Sequence, residues 1–292
     1  MSGNQAVEWI CRGRTLRIGT GPLVMGVLNV TPDSFSDGGS YAGPEDAVRR
    51  GMQMVEEGAD ILDIGGESTR PGAAAVDAKE ELRRVLPVIQ ALRKETDVCL
   101  SVDTSKAAVA REALDAGVEI VNDVTALGGD VDMCETVRRS GAGAVLMHMQ
   151  GTPRTMQANP CYNDVVAEVG AFLASRADAL VEKGLERERL AIDPGIGFGK
   201  TLDHNLKLLA QLQSLGICGL PVVVGLSRKS FLGKLTGRET EDRLAGSLAA
   251  LAYCVMHGAH VMRVHDVKES VDVIRTITSL MAAGNGESAG VE

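Results

Sequence analysis

Short apolar runs without polar interruption recur along the chain, and most of them follow a glycine and end in polar residues. Examples are ADILDIGG after Gly58, VEIVND after Gly117 and AGAVLMH after Gly141. The runs are rich in Val, Ile and Leu and do not alternate with polar residues, which is typical of parallel strands buried on both faces. A glycine before each run suits the left-handed position that ends a helix. Six glycines have this placement: Gly58, Gly117, Gly141, Gly184, Gly216 and Gly258.

Eight of these runs are candidate strands, near Leu23–Val30, Ile61–Gly65, Val98–Val102, Ile120–Asn122, Ala144–His148, Leu190–Asp193, Val222–Gly225 and His260–His265. Amphipathic, helix-like stretches lie between them, among them Pro44–Glu57, Lys79–Lys94, Lys106–Ala116, Asn163–Lys183, Asp203–Leu215 and Thr240–His257. This alternation predicts an α/β fold, a single-domain (β/α)8 TIM barrel; a doubly wound open sheet is the alternative. We assign residues 21–282 to the barrel, 1–20 to an N-terminal extension or short hairpin, and 283–292 to a flexible tail.

Composition narrows the function classes. The 292 residues are 45% hydrophobic, enough for a full core, and the formal net charge is −9. An acidic chain of this kind is not expected to bind nucleic acid, and an anionic ligand needs a local basic patch. The six cysteines show no metal-site spacing, which favours reduced thiols in the cytoplasm. The apolar stretch Leu244–Val264 carries His257, His260 and Arg263, so we expect no membrane span.

Every predicted strand ends in a polar side chain. In chain order these are Asn29, Asp63, Asp103, Asn122, His148, Asp193, Ser227 with Lys229, and Arg263 with His265. A single polar residue after a strand is ordinary turn chemistry. In a barrel, however, the carboxyl ends of all strands meet at one rim, where active sites lie. Eight such ends indicate a site.

Three of these residues, Asp103, Asn122 and Asp193, form a set of acceptors. A buried carboxylate is costly unless it meets donors, and a planar ligand with an N–C–N donor edge would supply them in bidentate form. The alternative is that Asp103 caps a helix starting at Thr104 and that Asp193 is a turn residue before Pro194.

A second set is cationic and suits a phosphate or pyrophosphate. It comprises Arg70, Lys229, Arg263 and His265, with Ser68, Thr69, Ser227 and Ser230 nearby. The alternative is a solvated charge at Lys229 and capping serines. GIGFGKT, residues 195–201, approaches a P-loop, but Pro194 stands where that motif requires glycine. We interpret it as a loop that approaches a flat ligand, with Phe198 available for contact.

Several segments resemble the dihydropteroate synthase family of the folate pathway: NVTPDSFSDGG, GADILDIGGESTRPGA, SVDTSK, VNDV, LMHMQGTP, AIDPGIGFGK, GLSRKSF and RVHDV. They occur in the family's order from Val24 to Val267. The resemblance implies a TIM-barrel transferase that joins para-aminobenzoate to 6-hydroxymethyl-7,8-dihydropterin pyrophosphate, giving 7,8-dihydropteroate and pyrophosphate. It also implies Mg²⁺, sulfonamide binding and a homodimer formed through late helices.

The resemblance assigns roles to individual residues. Asp103, Asn122 and Asp193 would read the pterin edge, Lys229 and Arg263 would contact the ring, and Met147 and Phe198 would flank it. Arg70, Arg263, His265 and Mg²⁺ would meet the pyrophosphate, with Asn29 as the metal's protein ligand. Thr69, Pro71 and Ser230 would contact the benzoate, and Ser68 completes the substrate-binding set.

Two polar loops, Thr31–Gly39 and Ser68–Ala75, are expected to be lids that exclude water from the electrophile. Phe35 would cover the second substrate's pocket, and Asp37 would face the cationic methylene-pterin. We expect pyrophosphate to leave before the amine has fully attacked, without a covalent intermediate or a strong general base. The alternatives are a pterin-binding methyltransferase domain, a paralogue without turnover and a P-loop nucleotide-binding protein.

Overall fold

The computed structural model describes residues 7–19, 21–31, 43–68, 75–284 and 286. Eight parallel strands form one sheet: β3 (Leu23–Asn29), β4 (Ile61–Gly65), β5 (Cys99–Asp103), β6 (Ile120–Asp123), β7 (Gly143–Met147), β8 (Leu190–Asp193), β9 (Val223–Gly225) and β10 (Val261–Val264). Their order is β8-β7-β6-β5-β4-β3-β10-β9. A parallel bridge between Ile192 and Val222 joins the two edges. The sheet therefore closes into a (β/α)8 barrel, as predicted.

Helices connect the strands: α1 (Pro44–Glu56), α2 (Ala78–Glu95), α3 (Ala107–Asp115), α4 (Met133–Ser140), α5 (Val165–Glu182), α6 (Leu202–Ala210), α7 (Ser230–Thr236), α8 (Leu244–Met256) and α9 (Val267–Gly284). Their buried faces pack on the outward side chains of the strands, such as Leu62, Leu100 and Leu146, in one apolar cluster. Among the helices that the structure describes, none is both long and apolar enough to cross a membrane.

Five of the six glycines predicted to end helices have a positive φ, from +67° to +106°. Gly216 does not. It lies within a 3-10 helix, Leu212–Cys218, and the left-handed position falls to Gly219, with φ +66°. The predicted helix Asp203–Leu215 is correspondingly shorter, because α6 ends at Ala210 and the 3-10 segment replaces its last turn.

The amino-terminal end of the barrel interior is apolar. Each strand contributes one side chain to this layer: Met25, Ile61, Cys99, Ile120, Val145, Ala191, Val223 and Val261. A hairpin, β1 (Val7–Cys11) and β2 (Arg14–Ile18), covers the layer with Trp9, Cys11 and Ile18.

Trp9 anchors this hairpin. Its side chain is fully buried, and its indole N–H donates to the carbonyl oxygen of Arg189 at 2.9 Å. Gly143 makes room for it, because a Cβ at that position would lie 2.7 Å from Cys11 Sγ and 3.3 Å from Trp9 Nε1. The hairpin thus closes the end of the barrel opposite to the predicted site.

Candidate active site

The barrel interior changes from apolar to polar within two residues. Along a strand, side chains two positions apart share a face. The next inward layer after the apolar one is therefore Val27, Asp63, Ser101, Asn122, Met147, Asp193, Gly225 and Arg263. Four of these belong to the predicted site: Asn122, Met147, Asp193 and Arg263. The layer lies at the carboxyl ends of the strands, where barrel enzymes bind their substrates.

Arg263 joins two carboxylates across the interior. Its Nε lies 2.6 Å from Asp63 Oδ2, and its Nη2 lies 2.6 Å from Asp103 Oδ2. Burial by itself would lower the pKa of the guanidinium, but the two carboxylates outweigh it and raise that pKa above its usual value. Arg263 therefore stays charged at the centre of the site.

Asp63 is the residue that the sequence analysis missed. It was named only as a polar strand end, yet it is fully buried and accepts from Ser101 Oγ at 2.7 Å and Asn122 Nδ2 at 3.0 Å as well as from Arg263. Counting in steps of two finds both Asp63 and Ser101 only once the structure has shown which apolar side chains point inward. The unalternating strands concealed that step.

Asp103 does not cap a helix. The helix after β5 begins at Ala107, and the residue before it is Lys106, so that alternative is wrong. Burial raises the pKa of Asp103, although Arg263 beside it acts in the opposite direction. The interior thus keeps a carboxylate whose charge is only partly compensated and which can accept ligand donors.

Asp193 and Lys229 form a second charged group. Asp193 is buried, which raises its pKa, and its Oδ1 accepts from the Gly195 N–H at 2.6 Å, so it also has the turn role considered above. Lys229 Nζ donates to the carbonyl oxygen of Ile196 and lies 4.7 Å from the centroid of the Phe198 ring. Burial lowers the pKa of Lys229 to about 8, against the opposing effect of Asp193.

The glycine-rich loop 195–199 is not a P-loop. Lys200, which would reach phosphates in that motif, is instead buried and donates to the carbonyl oxygens of His148 and Phe198 at 3.3 and 2.9 Å. A Cβ at Gly195 would lie 2.0 Å from His148 O, and one at Gly199 would lie 2.5 Å from Gln150 O. These glycines therefore allow the loop to lie against the backbone of 148–150, which presents Phe198 beside Lys229.

Hydrogen bonds and an ion pair connect the two segments that follow β9 and β10 at the rim. Ser227 Oγ lies 3.2 Å from His265 Nδ1 and accepts from the His265 N–H at 3.3 Å. Arg228, with φ +57°, forms two contacts of 2.9 and 2.6 Å with Asp266. Lys229 follows directly, and Ser230 is the exposed first residue of α7. The predicted cationic residues Lys229, Arg263 and His265 thus lie on adjacent strand ends.

Five predicted site residues, Phe35, Asp37, Thr69, Arg70 and Pro71, lie outside the described residues, as do most of both predicted lids. Ser68 is the last described residue before one of these gaps.

Met147, at the end of β7, is buried in the polar layer between Asn122 of β6 and Asp193 of β8.

Asn29, the predicted metal ligand, ends β3 and is half-buried. A Cβ on Gly65 would lie in ordinary van der Waals contact, 3.9 Å from Asn29 Oδ1 and 3.8 Å from Asp103 Oδ2, so these two oxygens flank Gly65 from the neighbouring strands. Within the described ranges, no group of three or more His, Cys, Asp or Glu side chains is arranged to hold a metal. One amide oxygen at the rim is compatible with Mg²⁺, which usually takes few protein ligands and keeps several waters.

Comparisons with known proteins identify the family of the chain. Residues 25–265 match the family described as pterin binding enzyme. Dihydropteroate synthase of Escherichia coli (strain K12) is 47% identical over 262 residues, which cover 90% of this chain and 93% of that protein.

Two solved structures are also similar. Xanthomonas albilineans dihydropteroate synthase with 4-aminobenzoic acid has a TM-score of 0.88 and 49% identity, covering 96% of this chain and 99% of that one. Yersinia pestis dihydropteroate synthase in complex with a sulfonamide drug has a TM-score of 0.89 and 44% identity, covering 94% and 100%. On the barrel, its polar layer and these matches, the chain belongs to the dihydropteroate synthase family of pterin-binding enzymes.

Proposed function

We propose that this chain catalyses the condensation of para-aminobenzoate with 6-hydroxymethyl-7,8-dihydropterin pyrophosphate, giving 7,8-dihydropteroate and pyrophosphate. The observation that carries the proposal is the polar end of the barrel interior. Asn122, Asp193 and Arg263 belong to its buried layer, and Asp103 and Lys229 lie next to that layer at the rim. Acceptors suit the N–H groups of a pterin edge, and cations suit the pyrophosphate.

The acids hold the ring by charge-assisted hydrogen bonds in a water-poor interior, where such bonds are stronger than in solvent. Fixing the pterin this way points its methylene carbon towards the rim. The amine of para-aminobenzoate then approaches a held electrophile, and the reaction gains from orientation. The second substrate would lie on the side of Ser230, which begins α7 at the rim.

Departure of pyrophosphate leaves positive charge on the pterin methylene and negative charge on the leaving group. Arg263 and His265 lie on the rim where that negative charge would develop, and preorganised cations stabilise it without rearrangement. The carboxylates of Asp103 and Asp193, which line the same interior, favour the positive charge. An arylamine is nucleophilic when neutral, so these residues need not act as a strong base.

Mg²⁺, held through Asn29, would neutralise charge on the pyrophosphate oxygens. Support comes from the place of Asn29 at the carboxyl end of β3, where its amide oxygen lies at the same rim as Asp103 Oδ2. Asn29→Ala is expected to raise the Mg²⁺ concentration needed for half-maximal pterin-pyrophosphate binding at least tenfold. An unchanged requirement in calorimetric titrations would remove Asn29 as the ligand.

The test of the activity is to mix both substrates with the purified protein and Mg²⁺ and to follow 7,8-dihydropteroate by chromatography and pyrophosphate by a coupled assay. We expect both products in equal amounts, and a sulfonamide should compete with para-aminobenzoate. Pterin binding without product would favour the paralogue that has lost turnover. Noncompetitive inhibition would contradict the placement of the second substrate.

We also infer a homodimer formed through the late helices. Large apolar side chains are exposed on α7, α8 and α9: Leu235, Tyr253, Met256, Leu280 and Met281. Exposed apolar clusters on soluble domains often mark interfaces. Sedimentation should show twice the chain mass, and Met256→Glu with Leu280→Glu should give the monomer, whereas a monomeric parent protein would refute this.

A cytoplasmic location accords with the thiols. Cys11, Cys99, Cys134, Cys161 and Cys254 are all unpaired in the described structure, as expected in a reducing compartment. Fractionation of cells should recover the protein with cytoplasmic markers.

A further inference from the structure

We propose that Asp63 is a positioning residue for the pterin: it fixes which atom of Asn122 faces the ligand and holds Arg263 away from full pairing with Asp103. This proposal rests on the proposed function. Asp63 has no assigned role in the predicted site, but it lies at the centre of the polar layer.

The first step is the amide of Asn122. Asp63 Oδ2 accepts from Arg263 Nε, which can only donate, so the atom of Asn122 that lies 3.0 Å from this oxygen is the NH₂ group. The two polar atoms of an amide lie on opposite branches of one plane. Asn122 is therefore left with its Oδ1 to offer to a ligand. Asp63 makes Asn122 an acceptor, which matches the donor edge of a pterin.

The second step is the guanidinium of Arg263. Asp63 Oδ2 accepts a hydrogen bond from Arg263 Nε at 2.6 Å. Asp103 Oδ2 accepts from only one terminal nitrogen, Nη2, at the same distance. Without Asp63, the planar fork of Arg263 is free to turn and engage both oxygens of Asp103. Such pairing would occupy the acceptor that the pterin needs.

The third step is the rigidity of Asp63 itself. Its Oδ1 accepts from Ser101 Oγ at 2.7 Å, on the neighbouring strand β5, and the side chain is fully buried. Three donors from three strands, β5, β6 and β10, thus hold one carboxylate. A group fixed in this way can orient its neighbours without touching the ligand.

A matched control lies one residue from Asn122. Asp123 is also fully buried, but its neighbour Asn122 points inward, so Asp123 points to the helix side. There it accepts from the Thr125 and Leu127 N–H groups at 2.7 and 3.0 Å. Asp63→Asn and Asp123→Asn therefore remove the same charge at equal burial on opposite faces of the barrel wall.

The experiment measures the Kd of pterin pyrophosphate with Mg²⁺ by calorimetry, the KM of para-aminobenzoate, and Tm. We expect Asp63→Asn to weaken pterin binding at least tenfold with the KM of para-aminobenzoate within twofold. Asp123→Asn should leave both constants within twofold even where it lowers Tm. Equal losses of affinity in the two variants, or unchanged affinity in Asp63→Asn, would overturn the proposal.

A double-mutant cycle tests whether Asp63 acts through Asn122. The double variant, Asp63→Asn with Asn122→Ala, should lose affinity for the pterin by some factor. We expect this factor to be at least fivefold smaller than the product of the factors lost by the two single variants. Independent, multiplying effects would overturn the proposal. If circular dichroism shows that Asp63→Asn does not fold, Ser101→Ala replaces it in the same cycle. We expect Ser101→Ala to lose at least threefold in affinity. Unchanged affinity in this variant would overturn the proposal. If the parent protein does not bind the pterin, the proposed function fails first.

Discussion

At its amino-terminal end the barrel interior holds one apolar side chain from each strand and the buried Trp9 of the hairpin. Two residues further along the same strands it holds Asp63, Asn122, Asp193 and Arg263. The apolar end gains stability from removing surface from water. The polar end instead gathers charges whose desolvation must be offset by pairing or by a ligand. The comparison indicates that stability and binding are separated along one axis of the molecule.

The largest expected effect is at the apolar end. Trp9→Ala should lower the free energy of unfolding by about 3–5 kcal/mol, because it leaves a cavity and unpairs the Arg189 carbonyl. Urea denaturation measures this, and the Kd of pterin pyrophosphate should stay within twofold. Trp9→Phe is the control, with a smaller loss of stability. Affinity that falls in step with stability would show that the two ends are coupled.

The next effect is at the polar end. Asp103→Ala should weaken pterin-pyrophosphate binding about a hundredfold, roughly 3 kcal/mol, because the ligand's donors lose a buried acceptor. Calorimetry measures the affinity, and Asp103→Asn separates the charge from the shape of the side chain. Unchanged affinity in the alanine variant would place the pterin elsewhere.

The smallest effect, taken per pH unit, is a pH dependence of stability that originates at the polar end. Burial and the nearby Lys229 lower the pKa of Lys200 to about 7, while in the unfolded chain it stays near its ordinary value of 10.5. Between these values the unfolded chain binds more protons, so the stability of the parent protein should rise with pH relative to Lys200→Met, by up to about 1.4 kcal/mol per pH unit.

Denaturant unfolding of both proteins between pH 7 and pH 10 checks this slope. Trp9→Phe should show the same pH dependence as the parent, since the indole does not titrate. A flat difference between the parent and Lys200→Met would mean that Lys200 keeps an ordinary pKa in the folded protein.

The barrel could be predicted because its strands are continuous apolar runs, and all eight were placed within one residue at their start. Their inward faces could not be predicted, because a strand buried on both sides carries no alternation to show which side chain points where. Asp63 and Ser101 were missed for this reason. Arg263, by contrast, was found, because a cation in an apolar run is conspicuous.

Other features depend on distant contacts. A helix ending at Gly141 was predicted without a starting residue; α4 (Met133–Ser140) has only eight residues, which give little periodicity. The inward position of Lys200 follows from the carbonyl oxygens of His148 and Phe198. His148 is 52 residues away along the chain. The sequence motifs indicate that Lys200 lies near the site, but they do not predict which oxygens accept its hydrogen bonds.

The apolar and polar layers are only two residues apart along each strand, so the strand register decides which side chains line the ligand pocket. If β4 slid by one residue against its neighbours, Ile64 would enter the ligand pocket and Asp63 would face the helices. Such an error would abolish turnover and bury an uncompensated acid at once. The number of pterin-pyrophosphate sites per chain in refolded protein therefore reports the fraction of barrels with correctly aligned strands, and a number below that of the native protein would signal a misaligned population.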